Sequence, residues 1–514
     1  MSRYFSKLYI LIIILATVLA YANILHNQFI WDDEDWILKN ETVKDWRSWP
    51  ELFTQNSIQG ARKGSNFYRP LQAISHGIDY LVWQYRLPGH HLTNILFHVL
   101  AAIVLFLFLG NIFSKNIAFF SALFFAIHPV QTEAVTYISG RADPMAGLFI
   151  LLTVLLFEKN LFLSCLVFLL GILSKESALI APILIIIYIF FRDKKIEYKK
   201  LLPFAIIVLI YAVLRMTVLN FTHTIPENAP KAFFYVPFYV RLSTFLKTLP
   251  VYFKMLLWPF GLHMERDISL SYSIFEPQSL LGLLIFGAAF IQGLRSRKKY
   301  KFLLFSSLWF SIVMLPNSNI FPINALIYEH WLYLPSVGFF VVVAWLIQRL
   351  FEKKGFKIIS IALVACLAIF YIWRTAERNK EWRDPISFYE STIRYKPDSA
   401  RLRNNLAMAY IDAGREDDAI REYKMSIEIG DYYPQPHYNL SNIYLNRGGY
   451  SQAIKELKRS MEIDNDFLYS HESLAVIYFN QNNFEQAREE ALFVIEREPQ
   501  NKIAREILSL IRGR

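Results

Sequence analysis

Long apolar runs separated by short polar intervals organise roughly the first three quarters of the chain. A helix needs about 20 apolar residues to cross the hydrocarbon core of a bilayer. Runs that meet or approach this length fall near 7–25, 90–110, 117–136, 143–157, 161–174, 177–191, 201–219, 279–294, 302–316, 331–348 and 357–374, giving eleven expected crossings. The stretch 143–191 admits more than one division. A further apolar stretch, 232–260, is interrupted by Lys231, Arg241, Lys247, Pro250 and Lys254, and reads as one or two amphipathic helices lying on the membrane surface. The first run could serve as a secretory signal ending at Ala20-Tyr21-Ala22, but its apolar core is long and more runs follow, so a retained helix is expected.

Past Trp373 the pattern changes to a 34-residue period. Asn405-Leu406-Ala407, Asn439-Leu440-Ser441 and Ser473-Leu474-Ala475 are in register, as are Tyr410, Tyr444 and Tyr478, and Ala419, Ala453 and Ala487. Small residues recur where two helices would cross, and large ones fill the space between. Gly414, Gly448 and Asn482 occupy the turn between the paired helices. This is the tetratricopeptide (TPR) pattern, with a partial leading unit at 382–399 and a capping helix at 500–512. The expected architecture is therefore all-α: a polytopic membrane domain over 1–379 and a TPR solenoid over 380–514. Such solenoids present a concave face to extended peptides, so the array is expected to bind an acceptor protein or peptide.

The loops that alternate on one side of the membrane hold Lys115; Arg192, Lys194, Lys195, Lys199 and Lys200; Arg295, Arg297, Lys298, Lys299 and Lys301; and Arg349, Lys353, Lys354 and Lys357. Basic residues favour cytoplasmic loops, which places the N-terminus inside and the TPR domain outside. The net charge of +11 belongs to these loops, because 380–514 carries slightly more acids than bases. No nucleic-acid partner is expected. Cys165 and Cys366 lie in apolar runs and predict no disulfide framework.

The same assignment puts every stretch with ionisable chemistry on the outer face. Just beyond the first run stand Asp32, Asp33, Glu34 and Asp35, which cannot enter a bilayer core. A carboxylate there can act as general base toward a hydroxyl, and Asp32 and Asp33 are the candidates. Arg69, Arg141, Lys175, Arg266 and His330 are candidates to hold a phosphate. Glu133, Asp143, Glu176 and Glu329 are supporting acids. Glu133 and Asp143 could join Asp32 at a divalent metal, but pairing with Arg141 or helix capping is the favoured reading. Neither metal nor cofactor is expected. His90, His91 and His98 read as packing residues. An acidic base opposite a phosphate cradle suggests group transfer from a lipid-linked phosphate donor.

Phe29-Ile30-Trp31-Asp32-Asp33 with Asn40, Tyr68-Arg69-Pro70-Leu71, His91-Leu92-Thr93-Asn94 with His98, and Ala126 through Val135 resemble the transmembrane and TPR-containing protein O-mannosyltransferases. So do Gly140-Arg141-Ala142-Asp143, Ser174-Lys175-Glu176, Leu332-Tyr333-Leu334-Pro335-Ser336, and Arg378-Asn379 with Trp382. The resemblance implies a GT-C fold and an inverting, metal-independent transfer of a sugar from a polyprenyl-phosphate carrier. Its catalytic acid would lie in the first external loop, here Asp32 or Asp33. Two departures stand out. The chain has Glu329-His330 where the eukaryotic family tends to have Glu-Arg, and about three full repeats. Together with a Lys/Ile/Phe-rich composition these suggest a bacterial relative at the plasma membrane, its site and repeats facing outward (the lumen of the endoplasmic reticulum, were it eukaryotic). Two other functions are compatible with the sequence: a ligase or polymerase of lipid-linked saccharides, and a non-catalytic membrane scaffold displaying a TPR domain.

Overall fold

The computed structural model describes residues 2–222, 236–295, 300–320, 323 and 325–513. It divides into two compact units, Met1–Asp384 and Pro385–Arg514. Both are built of helices and turns, with no strand among the described residues.

In the first unit five helices are long and apolar enough to cross a membrane: Ser6–Ile24, Leu87–Gly110, Ile138–Leu156, Pro277–Arg295 and Lys357–Lys380. Lys115–Ile127 and Pro129–Thr136 make a sixth if counted together, although they bend by 53°. Pro129 has no backbone N–H to continue the ladder, and the His128 ring accepts the Val130 N–H at 3.2 Å. This is fewer than the eleven crossings expected, for a local reason. Leu161–Ser174, Glu176–Phe191 and Lys301–Asn317 are apolar but short. A 14-residue helix rises only about 21 Å, against about 30 Å of hydrocarbon. Lys175 sits in extended backbone between the first two, which keeps them separate, as the sequence expects for 161–174 and 177–191. The interrupted stretch forms the helix Phe238–Leu257, which keeps Pro250 inside it. Its expected beginning near 232, and the basic residues Arg297, Lys298 and Lys299, lie outside the described residues. These helices make the first unit that of a multi-pass membrane protein.

Polar residues tie the ends of this bundle. Asn379 is fully buried near the end of Lys357–Lys380. Its amide donates to the Ala20 carbonyl and to Asn23, both at 2.9 Å, and its oxygen accepts the Thr136 hydroxyl at 2.8 Å. One side chain thereby joins three distant segments. His98 spans Tyr333 Oη (2.8 Å) and the Ala126 carbonyl (3.0 Å), and His91 meets the Asn27 carbonyl at 2.9 Å. These histidines pack, as their apolar surroundings suggest.

The second unit pairs Ala400–Asp412 with Glu416–Ile429, Pro434–Asn446 with Tyr450–Ile463, and Leu468–Asn480 with Phe484–Arg497, preceded by Pro385–Ile393 and followed by Lys502–Arg512. Ala407, Ala419, Ala453, Ala475 and Ala487 are all fully buried at the crossings. Gly414, Gly448 and Asn482 take φ values of +72°, +75° and +60°. That left-handed turn suits Gly and is tolerated by Asn, which is why Asn482 can replace the glycine. The period also extends to charge. Arg403, His437 and His471 each bond a glutamate nineteen positions on: Glu422 at 2.7 Å, Glu456 at 2.6 Å and Glu490 at 2.5 Å. Each pair clamps the two helices of one repeat.

This clamp titrates. Burial opposes charge on His437, but its bonds to Glu456 and Asp431 outweigh burial and raise its pKa. The stability it contributes is therefore fully present below the unfolded histidine value, about 6.5, and lost as pH rises through the higher folded value. Unfolding of the repeats followed by circular dichroism should weaken by roughly 1 kcal/mol on going from pH 6 to pH 8.5, and His437→Gln should flatten that slope.

Candidate active site

The acidic loop begins with Trp31 in left-handed backbone, φ +51°, an arrangement that costs about 1–2 kcal/mol for a residue with a Cβ. Packing sustains it: the indole stacks on Tyr137 at 6.2 Å, and Tyr137 lies 5.6 Å from Trp382. Asp33 then turns inward and is fully buried. One carboxylate oxygen accepts the Ser139 N–H at 2.8 Å and its hydroxyl at 2.5 Å; the other accepts the Ile30 N–H at 3.0 Å. Burial pushes the Asp33 pKa up to about 7, although these three bonds pull the other way. Asp32 remains half-buried. Asp35 pairs with Lys63 at 2.7 Å and the exposed Glu34 with Lys39 at 2.6 Å. Four consecutive acids thus have different surroundings.

Ser139 reaches Asp33 because the turn Ile138–Arg141 folds tightly onto the preceding helix. A Cβ on Gly140 would stand 2.5 Å from the Glu133 carbonyl oxygen, so only glycine fits. The next residue, Arg141, is fully buried. It bonds Asn94 Oδ1 (2.6 Å), the Ser75 hydroxyl (3.3 Å) and the His90 carbonyl (3.0 Å), and forms an ion pair with Asp79. Arg141 therefore pairs with Asp79, not with Glu133 or Asp143 as its sequence neighbourhood suggested. Asp79, held in turn by the Thr93 hydroxyl at 2.7 Å, went unnoticed in the sequence because nothing sets it apart from other helix surface acids.

The four supporting acids take different partners. Glu133 receives the His330 backbone N–H at 3.0 Å on one oxygen and meets Nδ1 of the same residue at 2.7 Å on the other. Asp143 bonds Lys175 Nζ at 2.6 Å. Burial lowers the Lys175 pKa, with the Asp143 charge opposing it. Arg69 pairs with Glu176 at 3.1 Å and covers the Phe67 ring at 4.7 Å. Glu329, fully buried, is held by Arg266 at 2.7 Å and Arg378 at 3.3 Å. Burial would raise its pKa, yet these two arginines bring it below the usual carboxylate range.

One pocket collects part of this set. Asp143, Lys175, Ser177, Asn317, His330 and Trp331 all border it. Lys175 and His330 are thus the two expected phosphate-holding cations that line it; Arg69, Arg141 and Arg266 do not. Neither Asp32 nor Asp33 lines it; Asp33 is bonded to Ser139, four residues before Asp143 along the same turn and helix. Ser177 was visible only as the end of the stretch Ser174-Lys175-Glu176-Ser177, and Asn317 gave no signal in the sequence, since isolated polar residues at helix ends are commonplace. Among the described residues no three His, Cys, Asp or Glu side chains converge as a metal-binding group.

Tetratricopeptide-repeat family models match residues 376–434 and 434–467. Over 447 residues, 83% of its length, the chain is 30% identical to protein O-mannosyl-transferase F38B6.6 of Caenorhabditis elegans. Its curated relatives are protein O-mannosyl-transferases. Human protein O-mannosyl-transferase TMTC3 is 26% identical over 76% of this chain, and its Mus musculus counterpart 24% over 81%. The chain spans 63% of the nematode O-mannosyl-transferase, 48% of the human one and 50% of the mouse one. Among solved structures, a chain from "Crystal structure of APC/C hetero-tetramer Cut9-Hcn1" aligns over 86% of this chain and 89% of its own, at 12% identity and a TM-score of 0.25. That likeness is too weak to say anything about the fold.

Proposed function

We propose that this chain is a membrane glycosyltransferase of the GT-C kind that moves a sugar, mannose by analogy with its relatives, from a polyprenyl-phosphate carrier to Ser or Thr hydroxyls of exported proteins. The observation that carries the proposal is the pocket at which Asp143, Lys175 and His330 meet, with Asp33 bonded to Ser139 four residues before Asp143. In this reading Asp32 is the base. It has the partial exposure a substrate hydroxyl needs, whereas Asp33 is fully buried and holds the loop.

The acceptor hydroxyl gives its proton to Asp32 as its oxygen attacks the anomeric carbon. The bond from that carbon to the phosphate oxygen breaks, the configuration inverts, and the lipid phosphate departs with the bond's electrons. Lys175 and His330 offset the charge that develops on it. Asp143 and Glu133 aim those two cations. Arg69 and Arg266, each on a carboxylate, would have to exchange partners to join them. The TPR unit recruits the acceptor. The site and the repeats face away from the cytoplasm, in a bacterial plasma membrane. Leu161–Ser174, Glu176–Phe191, Lys301–Asn317, Leu202–Met216 and Ser336–Glu352 bring the crossings to eleven, the bilayer thinning locally around these short helices.

Mass spectrometry of exported proteins from a deletion strain tests this reading. Loss of hexose from Ser- and Thr-containing peptides is expected. Intact protein glycans with altered surface polysaccharide would overturn it in favour of a saccharide ligase.

A further inference from the structure

The helices Ser336–Glu352 and Lys357–Lys380 form a hairpin whose turn lies at the opposite end from the candidate active site. His330 just precedes the first helix and Arg378 closes the second, so the turn is roughly 25 Å away along a 17-residue helix. Between the two helices runs an apolar groove lined by Val343, Leu346, Ile347, Leu350, Leu363 and Leu367. Leu346 is 51% exposed there. Arg349 and Lys353 stand at its end.

These cations differ from those of the active site. Lys175, Arg69, Arg266, Arg378 and Arg141 each have a carboxylate partner. Around the turn, Arg349 lies over the Trp345 ring at 5.1 Å, Lys353 over Phe356 at 4.6 Å and Lys357 over Phe351 at 5.8 Å. The nearby Glu352 accepts the Gln348 amide at 2.7 Å. Among the described residues no carboxylate pairs with Arg349, Lys353, Lys354 or Lys357. A wall that accepts a hydrocarbon chain thus ends in cations without an internal counter-charge, resting on aromatic rings as side chains do at a membrane interface.

We infer that this groove is a binding site for an anionic two-chain phospholipid of the bilayer, one acyl chain lying against Leu346, Leu350, Leu363 and Leu367 and the headgroup phosphate meeting Arg349 and Lys353. A zwitterionic lipid supplies the same chain but cancels the phosphate charge with its own ammonium. Basic pockets between helix ends at a membrane surface hold anionic headgroups for this reason.

Native mass spectrometry of the full chain released from mild detergent tests the site. Incubated with phosphatidylglycerol or phosphatidylcholine, the wild-type protein should retain phosphatidylglycerol in preference. The double variant R349Q/K353Q should retain about 30-fold less of it, as expected for two lost cations. L363W, which fills the groove and leaves every charge in place, should lower retention as well, and unchanged thermal unfolding of each variant shows that the fold is intact. Equal retention of both lipids would overturn the assignment. So would a loss in R349Q/K353Q without one in L363W, which would mark a diffuse electrostatic contact, and so would stronger retention of a polyprenyl phosphate than of phosphatidylglycerol.

Discussion

Asp32→Asn is expected to reduce sugar transfer by at least about 100-fold, the usual contribution of a positioned general base, while leaving the melting temperature within a degree or so of wild type. The amide is nearly the same size but cannot take the acceptor proton. Asp33→Asn should behave differently. Its carboxylate accepts three hydrogen bonds from Ser139 and Ile30, and an amide would turn its NH2 toward at least one of these donors. The expected result is a destabilised loop and a fall in activity that follows the loss of folded protein. Measuring transfer rate and thermal unfolding on both variants separates the roles. If Asp33→Asn removed activity at full stability while Asp32→Asn kept it, the two assignments would be reversed.

The largest effect on stability is expected at Arg141. Its guanidinium is fully buried and is engaged by Asp79, Asn94, Ser75 and the His90 carbonyl. Removing one partner of a buried pair leaves the other charge uncompensated, at a cost of about 3–5 kcal/mol. Arg141→Ala should therefore lower the melting temperature and the yield of folded protein sharply. Arg141→Gln combined with Asp79→Asn should recover part of the loss by removing both charges. If Arg141→Ala instead melted like wild type and lost only affinity for a lipid phosphate, Arg141 would be a ligand-binding residue and the internal ion pair incidental.

These predictions also mark where the sequence was informative. The repeat unit was legible because its 34-residue period is set by local packing: alanines at crossings and glycine or asparagine at left-handed turns. The buried clamps from Arg403, His437 and His471 share that period, but a charged pair nineteen residues apart looks like ordinary surface charge until the helices are folded together. In the membrane unit, apolar composition located the helices closely, the expected runs 161–174, 177–191 and 302–316 forming Leu161–Ser174, Glu176–Phe191 and Lys301–Asn317. Pro129 bends a run, 117–136, that looks continuous, and Lys175 turns toward the pocket at the break between 161–174 and 177–191. The candidate residues were recognisable by type and neighbourhood. Their partners were not, because Asp79 and Ser139 acquire their roles only through contacts made 62 and 106 positions away. The difference between Asp32 and Asp33 is one of burial, which adjacent identical residues cannot reveal.

The central claim is tested most directly with purified protein, a polyprenyl-phosphate sugar labelled in the sugar, and a Ser/Thr-containing peptide from an exported protein. The account predicts that label enters the peptide through a linkage of opposite anomeric configuration to the donor, and that Asp32→Asn abolishes this transfer. No transfer with any polyprenyl-phosphate donor, or transfer that persists undiminished in Asp32→Asn, would contradict it.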